Sequence, residues 1–138
     1  MQKARVWLAV LVALGLALFL TGCVLVDDGV EHLVLDAAWD ATADTADFDG
    51  AVGSTYVITF PAGGTAIDEV YGEFIYTDDS YIASAAVWEG RITEIAGGTI
   101  KIEILDGQAS YDGGTLSNGI TTLTYGSWPR SFQFVAYP

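Results

Sequence analysis

Hydrophobic and polar positions fall into two regimes along this chain. From Val6 to Leu20 the residues are apolar without interruption and carry no charge. From Ser54 onward, short segments alternate apolar with polar residues and are separated by Gly, Pro, Asp and Asn. That period of two, broken by turn formers, is the pattern of half-buried strands joined by tight turns. The first regime predicts an N-terminal helix and the second an all-β domain.

Within the second regime, Thr55–Phe60 is rich in strand formers and runs into Pro61-Ala62-Gly63-Gly64. Ala66–Tyr76 predicts the next strand, with Val70, Gly72, Phe74 and Tyr76 on one face and Glu69, Tyr71 and Glu73 on the other. Asp78-Asp79-Ser80 turns the chain, and Tyr81–Ile95 predicts a strand bent near Gly90. Gly97-Gly98 is a hairpin signal. Ile100, Ile102 and Ile104 alternate with Lys101 and Glu103, the cleanest one-face-buried strand in the chain. A short piece around Ala109–Tyr111, a turn at Ser117-Asn118-Gly119, and strands over Ile120–Tyr125 and Ser131–Tyr137 complete the reading. Consecutive strands with tight turns make an antiparallel meander, which hides its edges most completely by closing into a barrel. A β-sandwich is the alternative.

The segment between the two regimes, 23–53, reads as an acidic tether and lead-in. It is rich in Asp and Ala. Asp28 with Glu31 would cap a short helix over Val30, Leu33, Val34 and Ala37, while a first strand from about residue 37, around Trp39, is the rival reading. Both stay open for residues 28–43. The barrel domain itself is assigned to 54–138.

The apolar run is preceded by Lys3 and Arg5 and followed by Leu20-Thr21-Gly22-Cys23. Length, flanking charge and small residues are those of a secretory signal peptide over residues 1–22. The last four residues resemble the bacterial lipobox. That resemblance implies cleavage before Cys23 and its acylation with palmitate-type chains, enough for stable anchoring. The anchor is then in the cell membrane or the outer membrane; Val24 stands where an Asp would signal inner-membrane retention, which favours the outer membrane where the envelope has one. The competing reading is an uncleaved membrane helix over Val6–Val26. Either way the basic residues stay in the cytoplasm and the rest of the chain lies outside it.

Charge sharpens this picture. All eighteen acidic residues follow Cys23, against only Arg91, Lys101 and Arg130, which gives 3 − 18 = −15 for the processed chain. Such a surface repels phosphate backbones, so nucleic acid is excluded as a partner. Abundant aromatic and β-branched residues separate the domain from acidic disordered chains. Cys23 is the only cysteine and His32 the only histidine, which removes thiolate metal sites and the usual nucleophile–base pairs.

Trp39, then Tyr56–Phe60 with Gly64-Thr65, then Gly72-Glu73-Phe74-Ile75-Tyr76-Thr77-Asp78-Asp79 resemble small bacterial lipocalin-like lipoproteins. The resemblance spans about Trp39 to Tyr137. It implies a calycin-type barrel in which Trp39 closes one end beneath a late arginine, here Arg130. It also implies that some of Trp39, Phe60, Phe74, Tyr76, Trp88, Phe132 and Phe134 line a cavity for an apolar ligand. Their plain alternative is core filling.

Other candidates carry less. Asp47 and Asp49 in Asp44–Gly50 suggest a loose calcium site, but the segment fails the EF-hand spacing, since Thr45 and Tyr56 would occupy the first and twelfth positions. A solvated acidic linker is the simpler reading. Glu69 with Glu73, or Glu89 with Glu94, would be the carboxylate pair of a hydrolase, yet carboxylates on a sheet's outer face ordinarily serve solubility. Trp128-Pro129-Arg130 lies on a turn, where an exposed Trp beside an Arg marks a candidate partner contact. No cofactor motif is present. The sequence therefore predicts a lipid-anchored, non-catalytic cell-envelope protein that binds a small apolar or amphipathic ligand. The alternative is a structural lipoprotein that docks an envelope protein through its outer surface.

Overall fold

The computed structural model describes residues 31–34 and 36–138. The expected signal helix, Cys23 and Asp28 lie outside the described residues. Six strands are present: β1 (Glu31–Val34), β2 (Thr55–Phe60), β3 (Gly72–Glu73), β4 (Ile75–Thr77), β5 (Gly98–Asp106) and β6 (Arg130–Val135). One helix, α1 (Ile82–Trp88), lies between β4 and β5, and a 3-10 turn (Ala46–Phe48) precedes β2. The strands form one sheet in the order β1-β2-β5-β6-β4-β3. The central four are antiparallel, and β1 joins the edge parallel to β2, with Glu31 opposite Thr55 and Val34 opposite Ile58.

The all-β expectation holds, but closure into a barrel does not. The sheet runs open from β1 to β3, and no pairing between those edges is found among the described residues. Nor is it a meander, since β2 pairs with β5 rather than with β3. The reason lies in the segment expected to be a strand at Tyr81–Ile95. Its first half is helical, and every residue of α1 is buried. Ala83, Ser84, Ala85 and Ala86 are small enough to be enclosed on all sides, and alanine is the best helix former. A buried helix covers the apolar face that closure would otherwise have to hide.

That face is built in cross-strand rows. Tyr56, Ile102 and Phe134 stand opposite one another, as do Ile104, Phe132 and Tyr76. All six belong to the same hydrophobic cluster as α1, Phe48, Phe60, Val70 and Ile120. Burial of each large side chain contributes about 1.5–3 kcal/mol. On the opposite face Thr59 meets Thr99 at 3.0 Å and Gln133 meets Glu103 at 2.9 Å, so that side is polar and partly wet.

Two expected strands are reduced. Ala66–Tyr76 yields only β3 and β4, because Phe74 adopts a left-handed φ of 65° and folds the two pieces onto each other. Ile120–Tyr125 contributes isolated bridges, Leu123 to Tyr71 and Tyr125 to Tyr111, instead of a strand. In the lead-in, the strand is at Glu31–Val34, and the chain around Trp39 is irregular.

Candidate surface cleft at the end of the helix

The end of α1 is set by its own sequence. Gly90 takes a φ of 73°, which a glycine adopts without Cβ strain. Its N–H donates to the Val87 carbonyl and that of Arg91 to the Ala86 carbonyl, a Schellman closure. Two carbonyls of the last turn also receive donors from a distant loop. Asn118 Nδ2 donates to Val87 O at 2.9 Å, and Ser117 Oγ to Trp88 O at 2.9 Å. Trp88 Nε1 returns a bond to Thr115 O at 2.7 Å. The loop can hold this position because Asn118 and Gly119 both have positive φ and form the expected tight turn between Ser117 and Ile120.

Chain continuing from α1 makes the second wall. Ile92 is buried, Thr93 bridges to Gly97, and the Glu94 carbonyl accepts the N–H groups of Gly63 and Gly64. Glu94 Oε1 accepts from Ala66 N at 2.6 Å. Between these walls is a solvent-open cleft of about 370 Å³, lined by Val87, Gly90, Ile92, Thr93, Glu94, Ile95 and Asn118. Within its lining Ile95 is 88% exposed. Volumes above about 300 Å³ with mostly apolar walls and a few fixed polar groups are the ordinary dimensions of small-molecule sites.

Next to the cleft, a polar chain runs from the core to the surface. Tyr76 donates its hydroxyl to Glu89 Oε1 at 2.8 Å, and Glu89 Oε2 pairs with Arg91 Nε at 2.6 Å. The Arg91 guanidinium lies over the Phe134 ring, 4.9 Å from its centroid. Burial, reinforced by the bond to Glu89, pushes the Tyr76 hydroxyl far above its ordinary range.

The ligand-lining candidates separate. Phe60, Tyr76, Trp88, Phe132 and Phe134 are buried in the common core, and Tyr76 packs on Phe132 and Phe134 at 5.3 and 5.8 Å. Phe74 is 59% exposed and meets Trp88 edge-on at 5.5 Å. Trp39 is half-buried. It packs on Phe60 at 5.9 Å and over Gly64, where a Cβ would collide with the indole, and it donates to Pro61 O at 3.0 Å.

Arg130 sits at the opposite end of the sheet, paired with Asp106, so it does not meet Trp39. Its guanidinium instead donates to the carbonyls of Phe48 and Gly50. Nearby, Trp128 is half-buried and donates Nε1 to Asp78 at 2.6 Å. Burial raises the Asp78 carboxyl above its ordinary range, against the lowering pull of that bond and of Arg130.

Asp47 and Asp49 are exposed on either side of buried Phe48. Among the described residues no three His, Cys, Asp or Glu side chains are grouped to hold a metal ion. Glu69 and Glu73 are exposed, and Glu89 is taken by Tyr76 and Arg91.

The cleft residues Ile92, Ile95 and Asn118 were not among the sequence candidates. One signal for them exists, an apolar Ile95 standing in a turn between Glu94 and Gly97-Gly98. The rest depends on three segments meeting in space.

No curated protein matches the chain. A family model described as the LCCL domain matches residues 37–132, a span that contains every residue of the cleft. In place of the lipocalin-like assignment, the chain belongs to the LCCL domain family, a family of small β-rich domains.

Proposed function

We propose that this chain is a non-catalytic, lipid-anchored envelope protein whose LCCL domain binds a small amphipathic molecule in the cleft at the end of α1. Membership of the LCCL family fits a small extracellular or secreted β domain, and the lipobox at Leu20–Cys23 supplies the anchor. The observation that carries the reading is the cleft itself. Apolar walls from Val87, Ile92 and Ile95 stand beside Thr93, Glu94 and Asn118, in a volume suited to a short acyl chain with a polar head. An 88% exposed Ile95 adds apolar surface that water covers at a cost and a ligand would cover at a gain.

Photolabelling tests this. The full chain, held in phosphatidylcholine nanodiscs, is irradiated with a decyl glucoside bearing a diazirine, and the labelled peptides are identified by mass spectrometry. Label is expected on the peptides covering Val87–Ile95 and Asn118, and Ile95→Asp should reduce it by about five-fold, the scale of losing one apolar contact to a charge. Label spread evenly over the domain, or unaffected by Ile95→Asp, would sink the proposal.

A further inference from the structure

Resting on that reading, we infer that the cleft is built for an amphiphile with a cationic headgroup and turns anionic ones away. Among the described residues, Glu94 is the only ionisable one in its lining. Its Oε1 is fixed by the Ala66 N–H at 2.6 Å, which keeps the carboxylate in place at the wall.

None of the three basic residues after Cys23 lines the cleft to offset it. Arg91, the nearest in sequence, is partly exposed but is drawn to Glu89 and laid on the Phe134 ring, so its charge is offset by that carboxylate. Arg130 is bonded to the carbonyls of Phe48 and Gly50 at the far end of the sheet. Lys101 lies within β5, opposite Val57 and Val135.

Backbone polarity acts in the same direction. The cleft opens at the C-terminal end of α1, whose last carbonyls already accept from Gly90, Arg91, Asn118 and Ser117, so this end presents no free N–H to an anion. Asn118 is oriented as a donor to that helix end, so its two N–H groups are not offered to an anion in the cleft. A wall with one fixed carboxylate and no lysine or arginine in its lining complements an ammonium head. It has nothing with which to hold a carboxylate, sulfate or phosphate that lacks its own counter-charge.

The test uses the full chain in phosphatidylcholine nanodiscs with three diazirine-bearing decyl probes that differ only in the head: trimethylammonium, glucoside and carboxylate. Label on the Val87–Ile95 peptide is expected to fall by about five-fold from trimethylammonium to glucoside, and again from glucoside to carboxylate. That is the scale of a solvent-screened charge contact.

In Glu94→Gln both steps should shrink, while Ala66 keeps an acceptor in the amide oxygen. If the carboxylate labels as well as the ammonium, or if Glu94→Gln leaves the order unchanged, the headgroup inference falls and the binding proposal stands. If no probe labels the cleft, both fall.

Discussion

Tyr76 shows how one side chain joins core and surface in this domain. Its ring is fully buried between Phe132 and Phe134, while its hydroxyl supplies a donor to Glu89. Replacement by Phe keeps the packing and leaves Glu89 Oε1 without that donor. The expected cost is about 1–3 kcal/mol, read as a lower urea midpoint, because a buried acceptor loses its bond and regains no water.

The same hydroxyl gives a pH signature. Burial and the bond to Glu89 raise its folded-state pKa above the ordinary tyrosine value of about 10, so its contribution is present below about pH 10. Above that pH the unfolded tyrosine ionises and the folded one does not, and stability is lost. Tyr76→Phe should lack that part of the alkaline loss. None of this network was legible in the sequence, because Tyr76 and Glu89 are joined only by the way α1 folds back on β4.

Elements differed sharply in how openly the chain announced them. Thr55–Phe60 and the Ile100, Ile102, Ile104 alternation were readable because a strand buried on one face imposes a period of two on its own residues. The helix was not, because Ile82–Trp88 is apolar or small at every position and complete burial erases any period. What it did carry was Ala83, Ala85 and Ala86, three alanines in four positions, shortly after an Asp-Asp-Ser turn.

Full enclosure also makes α1 intolerant of size. Ala85→Leu adds volume at a site with no exposed surface and should cost about 1–3 kcal/mol or more in thermal or urea unfolding. An unchanged midpoint would mean that α1 is looser than described here. The parallel β1–β2 pair was likewise hidden, since parallel neighbours are chosen by the path of the intervening chain and not by local composition.

At the scale of the whole molecule, topology sets the end of the sheet at which β1 enters apart from the end that holds the cleft. β1 follows the tether and enters the sheet at the Thr55 end, beside Asp106 and Arg130. The cleft lies at the other end, where Gly63 and Gly64 bind the Glu94 carbonyl just beyond Phe60. The sequence carried the proposed anchor in a local motif, but the cleft only as fragments around residues 87, 92–95 and 118. The anchor is checked by mass. The chain purified from an expressing bacterium should lack residues 1–22 and carry added acyl mass on Cys23, and Cys23→Ser should show neither change. An unprocessed wild-type chain would favour the uncleaved helix.

The parallel edge strand then has a mechanical meaning. With Cys23 held in a membrane and the cleft engaged, tension enters at Glu31 and leaves near Phe60, along the axis of β1 and β2. The pairs Glu31–Thr55, His32–Tyr56, Leu33–Val57 and Val34–Ile58 would be strained together in shear. An edge strand pulled sideways would instead unzip pair by pair. An anchor at Cys23 would thus load the domain in the direction in which a short strand pair resists force best.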